Sequence, residues 1–232
     1  MKSINRLLLF FLMAGPSVAA QAYDNAIKKA EYLVKAHRSL TQIPGCQIAV
    51  MVNGRLVWSQ GFGYSDLAAQ SKVSSKTKFR IASVSKPVTS MALGYLLDQR
   101  KIDINRDVRS YVPTFPKKSH TITPKHLASS TSGIRHYNTK DIQFNSKNYP
   151  TVLSALERFE NDPLAFEPGT QYLYSSFGWV LLSAAMEKAS ETSFFELMQH
   201  TWDALGMENT SFDYPDRILT NKSKFYNYDK KQ

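Results

Sequence analysis

Cysteine is nearly absent: the 232 residues contain one, Cys46, in IPGCQIAV. A single thiol forms no internal disulfide, so the fold has to stand on packing alone. A lone cysteine can be a nucleophile, but at the head of an apolar, β-rich run it reads as a small buried hydrophobe. The five histidines (His37, His120, His126, His136 and His200) show neither H-E-x-x-H nor comparable ligand spacing, which argues against a zinc site, and no metal or cofactor is expected. G-x-S-x-G is missing, which disfavours a nucleophile elbow of the α/β-hydrolase kind. No internal repeat, low-complexity tract or nucleic-acid-binding motif occurs, so no nucleic-acid partner is expected. The apolar stretch near the start, LLLFFLMAG, is too short to span a bilayer comfortably.

That stretch has a different reading. A basic head, MKSINR, precedes it and small residues, PSVAAQA, follow it. Residues 1–22 therefore read as a secretory signal cleaved after residue 20 or 22, and the mature protein as exported, periplasmic or secreted. No cysteine follows closely, which argues against a lipid anchor. The remaining length is most simply one domain, 23–232, and its 43% hydrophobic and 12% aromatic content is that of a globular chain. The net charge is +10, of which Lys2 and Arg6 in the leader supply two, leaving +8. For an exported protein this suits contact with anionic wall polymers or a membrane surface, although a solvated basic surface explains it equally well.

Along the chain, Ala26, Ile27, Ala30, Leu33, Ala36 and Leu40 recur at helical spacing and predict an amphipathic helix. CQIAVMV and RLVWSQGFGY, joined by Asn53-Gly54, predict a β-hairpin, because both turn residues must accept positive φ. Residues 65–78 read as polar and turn-like. Val88, Met91, Ala92, Tyr95 and Leu96 predict one face of a helix running to about Gln99. Residues 103–125, with Pro113, Pro116 and Pro124, read mostly as loop, and 137–150 as a polar connection. Two more helices are expected, one from near Ser175 and one opened by the capping box Ser193 to Glu196 and ending before Gly206. One hairpin beside four helices is an imbalance. Either helices cover the hairpin, or further strands of its sheet lie elsewhere.

The pattern S-x-x-K occurs twice, at Ser75/Lys78 and Ser83/Lys86. The first lies in the polar KVSSKTKF, with no helix to hold the two side chains together. The second stands where a short β-like run, Phe79 to Ile81, meets an apolar helix. Positions i and i+3 share a helix face, so Lys86 projects beside the Ser83 hydroxyl, at a helix N-terminus that favours a developing oxyanion. A lysine partly withdrawn from water there is placed to act as a base. The plainer alternative is an N-cap serine with a surface lysine. Tyr174, at the helix entrance in FEPGTQYLYSSFGW, adds a phenol able to relay protons, or else one more packing tyrosine.

FRIASVSK, LASSTSGIRHY, NDPLAFEPGTQYLYSSFGW and LGMENTSF follow one another in an order that resembles the class C β-lactamase and penicillin-binding-protein-like serine hydrolases, nearest the branch with the mitochondrial serine β-lactamase-like protein. The resemblance covers about Ile27 to Lys230 and implies an α+β fold: an antiparallel sheet flanked by helices, plus a helical region. It implies Ser83 as acyl-accepting nucleophile, Lys86 as its partner in proton transfer and Tyr174 as the tyrosine of the Tyr-x-Asn motif. Ser176 stands where that motif has asparagine and takes its substrate-binding place, with a shorter group and fewer hydrogen bonds. His136, in SGIRHY, is expected near the pocket as a structural or supporting residue. The family's third motif, a Lys/His-Thr-Gly-type segment on a sheet strand, should lie well beyond Ser211, whereas the sequence closes on FYNYDKKQ. The chain accordingly reads as the N-terminal portion of a larger domain with an incomplete sheet. Two functions follow: an exported acyl-serine hydrolase (peptidase, D-alanyl carboxypeptidase, β-lactamase or esterase type) acting on a small molecule or a peptide such as a cell-wall peptide, or a non-catalytic or assembly protein on the same fold.

Overall fold

The computed structural model describes residues 23–142, 147–214 and 216–227. The leader expected over 1–22 lies outside the described residues. The described residues divide into two compact units, those from 23 to 80 with those from 213 to 227, and those from 81 to 212.

The first unit opens with α1, Asp24–Thr41, followed by strands β1, Gly45–Val52, β2, Arg55–Asp66, and β3, Ser71–Lys72, in an antiparallel sheet of order β1-β2-β3. Asn53 (φ 49°) and Gly54 (φ 75°) make the tight hairpin turn that the right-handed twist of paired strands favours. β3 falls within the segment expected to be turn-like. It forms because β2 runs on to Asp66, where Tyr64 pairs with Lys72 and the Ser65 hydroxyl donates to the Ser71 carbonyl. Gly63 is required as glycine: its φ is 69° and a Cβ there would strike the Pro44 carbonyl.

The expected β-like run at Phe79 to Ile81 does not form: those residues are irregular, and a single parallel bridge between Lys78 and Lys222 precedes them. A strap from 213 to 226 is laced along 65–80: Lys224 N–H donates to the Ser65 carbonyl at 2.8 Å, Leu67 N–H donates to the Tyr226 hydroxyl at 2.7 Å, and Asp213 pairs with Arg80 and Lys222. Cys46 sits in β1 as expected but is half-buried. Apolar side chains of this unit remain in water, among them Leu33, Leu40, Met51 and Leu56, and α1 buries none of its residues. Within this unit, α1 therefore leaves part of the apolar surface of the hairpin in water.

The second unit is helical. A 3₁₀ turn, Ala82–Val84, runs directly into α2, Ser85–Asp98. Then come α3, Pro124–Ala128, α4, Thr139–Ile142, α5, Ser176–Ser190, and α6, Phe194–Ala204. Three of the starts have a local cause. Thr123 caps α3 ahead of Pro124, whose missing N–H costs nothing in a first turn, and so a short helix closes the stretch expected to be mostly loop. Ser175 Oγ accepts from Gly178 N–H to start α5, and Ser193 and Glu196 form the expected reciprocal box at α6.

α5 forms the centre of the core, with Leu181, Leu182, Ala184, Ala185 and Met186 almost fully enclosed. Around it pack Ala92, Leu93 and Leu96 of α2 and Leu197, Met198 and Trp202 of α6. Each fully buried leucine contributes ~2 kcal/mol of transfer free energy. The inner face of α2 differs from the expected one. Ala92 and Leu96 are buried and Val88 is partly so, but Met91 and Tyr95 point to water while Thr89 and Leu93 turn inward.

Candidate active site

Ser83 lies in the 3₁₀ turn and is exposed. It is not an N-cap: α2 has no side-chain cap, and its flanking residue is Val84. The preceding residue, Ala82, has φ 45°, a left-handed conformation that costs an L-residue about 1–2 kcal/mol. This bend opens the turn, which leaves the Ser83 side chain exposed. One helical turn on, Lys86 projects beside it, with Nζ 3.4 Å from Ser83 Oγ. Pro87 follows within the first turn of α2, where no intrahelical N–H is needed.

The entrance of α5 supplies the rest. The Tyr174 hydroxyl donates to Ser83 Oγ at 2.6 Å, and Lys86 Nζ donates to Ser176 Oγ at 3.2 Å. The ammonium also stands over the Tyr174 ring, 4.9 Å from its centroid, a favourable cation–π arrangement. First Lys86 and then Ser83, by hydrogen bonding, hold the Tyr174 phenol below the ordinary tyrosine range. Ser83, Lys86, Tyr174 and Ser176 are thus brought together, within one compact unit. The other S-x-x-K match is not assembled: Ser75 is in a turn, and Lys78 is in the backbone bridge to Lys222.

Ser176 borders this group as well. Its hydroxyl faces Lys86, and its N–H donates to His136 Nδ1 at 3.1 Å. The His136 ring packs edge-on to Tyr174, 5.2 Å between centroids. Burial first, and the Lys86 charge second, push the imidazole below its ordinary pKa. Behind it lies a clamp that the sequence reading missed. Arg135 donates to Asp141 and to Asp162, each at 2.6 Å, and its guanidinium stands over Phe177; Arg158 also reaches Asp141 at 3.0 Å. The Ser175 hydroxyl ties this clamp to the site by donating to the Arg135 carbonyl at 2.9 Å. No spacing rule reveals such a cluster, because Asp162 and Arg158 lie more than twenty residues from Arg135.

A hydroxyl with a phenol of lowered pKa at hydrogen-bond distance and an amine beyond it has the parts of an activated nucleophile: an oxygen, a proton acceptor and a cation that stabilises the acceptor's ionised form. Site and fold together define the class of serine β-lactamase-like hydrolases. A family model described as Beta-lactamase matches residues 31–230, and the chain belongs to that family. It is 29% identical to the serine β-lactamase-like protein LACTB, mitochondrial, of Homo sapiens, over 92% of this chain and 51% of that protein. The chain thus spans about half the length of the curated relatives it matches. Among solved structures, EstCE1, a hydrolase with promiscuous acyltransferase activity, superposes with a TM-score of 0.77 at 23% identity, covering 89% of this chain and 57% of EstCE1. A class C β-lactamase superposes with a TM-score of 0.74 at 20% identity, covering 90% and 56%. The fold is therefore α+β, of the β-lactamase/transpeptidase-like kind, with a three-stranded antiparallel sheet that is not closed.

Proposed function

We propose that this chain carries the acylating centre of an exported acyl-serine hydrolase. Ser83 Oγ bonds to the carbonyl carbon of an amide or ester while its proton passes to the Tyr174–Lys86 pair. The leaving amine or alcohol takes a proton and departs. Water then attacks the acyl-enzyme, releasing a carboxylic acid and restoring the Ser83 hydroxyl. The observation that carries this reading is the 2.6 Å contact of the Tyr174 hydroxyl with Ser83 Oγ, with Lys86 Nζ 3.4 Å from the same oxygen. Ser176 supports the pair through Lys86 and borders the substrate position.

The substrate is a small molecule or a peptide, with cell-wall peptides the natural choice for an exported member of this family. Peptidase, D-alanyl carboxypeptidase, β-lactamase and esterase chemistry all use this core. Export rests on the sequence pattern of residues 1–22. No observation favours the alternative of a non-catalytic or assembly role. The test is the intact mass of the purified chain after incubation with a fluorescent penicillin, beside Ser83→Ala. A single adduct that disappears in Ser83→Ala is expected. Absence of an adduct on a sample that melts cooperatively overturns the reading for penicillin-type acyl donors.

A further inference from the structure

We propose that His136 is a positioning residue for Tyr174: its Nδ1 holds the Ser176 N–H at 3.1 Å, its ring edge abuts the Tyr174 ring, and together these contacts keep the phenol against Ser83. The proposal rests on the reading of the Ser83–Tyr174 pair given above. Tyr174, Ser175 and Ser176 form a short stretch held from one side by two consecutive residues. Ser175 is tied to the Arg135 carbonyl, and Ser176 to the His136 ring. Arg135 in turn is fixed by Asp141 and Asp162 and donates to the carbonyl of His136 itself at 3.1 Å. The imidazole is further backed by the Tyr137 ring, 3.8 Å between centroids.

The hydrogen bond sets the protonation state. A nitrogen that accepts from a backbone N–H carries no proton, so the neutral ring has its hydrogen on Nε2. The groups that bear on it are Lys86 from α2, Tyr174 from the entrance of α5, and Arg135 and Tyr137 on either side of it in sequence. A second proton would remove the acceptor for Ser176 and set a cation beside Lys86. Burial and the Lys86 charge both oppose it, in agreement with the lowered pKa. His136 is thus a neutral cap on the helix that carries Ser176, and the segment it pins places the phenol.

The test needs no substrate. The ionisation of Tyr174 is followed by ¹³C NMR of Cζ-labelled tyrosine, assigned with Tyr174→Phe, in the wild-type chain, His136→Phe and His136→Asn. His136→Phe keeps a ring and removes the acceptor, whereas Asn offers Oδ1 close to where Nδ1 stood. The Tyr174 titration is expected to move up by about one pH unit in His136→Phe, toward the ordinary tyrosine value, and to stay at the wild-type position in His136→Asn. ¹⁵N imidazole spectra of the wild type should show the proton of His136 on Nε2 at neutral pH. An unchanged Tyr174 titration in a cooperatively melting His136→Phe, or a proton on Nδ1, overturns the proposal. If His136→Phe does not fold, the ¹⁵N spectrum and the Asn variant decide it. Failure of the hydrolase reading appears separately, as a missing Ser83 adduct in the wild type.

Discussion

The Tyr174 hydroxyl donates to Ser83 Oγ at 2.6 Å across ninety-one residues of sequence, joining the entrance of α5 to the turn that opens α2. If that phenol takes the serine proton, Tyr174→Phe slows acylation of Ser83 by about 10²–10⁴-fold, the usual contribution of a positioned general base. Stability should change little, because the tyrosine is 37% exposed. The pH dependence carries the sign. The phenol's pKa is lowered, and a base works when ionised, so the wild-type rate climbs as pH rises through the lowered value and levels above it. Tyr174→Phe removes that climb. Adduct formation followed by intact mass over a pH series reads both effects.

Lys86 stands over the Tyr174 ring and leads the groups that hold its phenol's pKa down. Lys86→Met keeps the stem and removes the charge. The Tyr174 ionisation should then rise toward about 10, the value of an unperturbed tyrosine. Ultraviolet difference absorbance at alkaline pH, with Tyr174→Phe as blank, measures it. Acylation at neutral pH should fall by at least about 10²-fold, since the phenolate and its counter-charge are lost together. A Tyr174 titration unmoved by the substitution would show that the ammonium is not what lowers it.

Much of this is legible in the amino-acid sequence alone, and the parts that are not share a cause. Asn53-Gly54 announces its hairpin because two positive φ angles leave few residue choices. Ser193 and Glu196 announce α6 because a reciprocal cap needs those two residue types three positions apart. These signals are local. The inner face of α2 is set by α5 and α6, which is why Leu93 is buried and Met91 is not. Periodicity alone cannot choose between adjacent apolar stripes. β3 is only two residues long and depends on the extension of β2. The Ser83–Lys86–Tyr174 grouping is legible through motif order. The Arg135–Asp141–Asp162 clamp behind it had no motif, since its members are chosen by proximity in space.

Ala82 gives a prediction about strain. Its φ of 45° places the turn before Ser83 in a region where a β-branched side chain is costlier than a methyl. Ala82→Val should destabilise the protein by about 1–3 kcal/mol and displace the Ser83 hydroxyl, lowering both melting temperature and acylation rate. Ala82→Gly removes the Cβ penalty but loosens the unfolded chain, so the two effects largely cancel. Paired thermal melts of the two variants check the assignment: equal losses in both would mean that backbone strain at residue 82 is not the cause.

Asp141 links Arg135 and Arg158 and accepts the Asn138 N–H at 2.8 Å. Hydrogen bonding from Arg135 is the main reason its carboxyl lies below the ordinary value of 3.8. Because the folded-state pKa is lower than the unfolded one, the stabilisation is fully present above the unfolded value and is lost as pH falls through the folded value. Asp141→Asn should therefore cost about 2 kcal/mol at neutral pH, the scale of a charge-assisted hydrogen bond in a half-buried setting. The gap between variant and wild type should narrow once the pH drops below about 4, where the unfolded chain's carboxyl begins to take up protons, and close as the folded carboxylate is protonated lower still. Denaturant melts of both proteins from neutral pH downward measure that gap. Because Arg135 also anchors the chain beside His136, Asp141→Asn should slow Ser83 acylation as well, and a loss of stability with no change in rate would separate the clamp from the site.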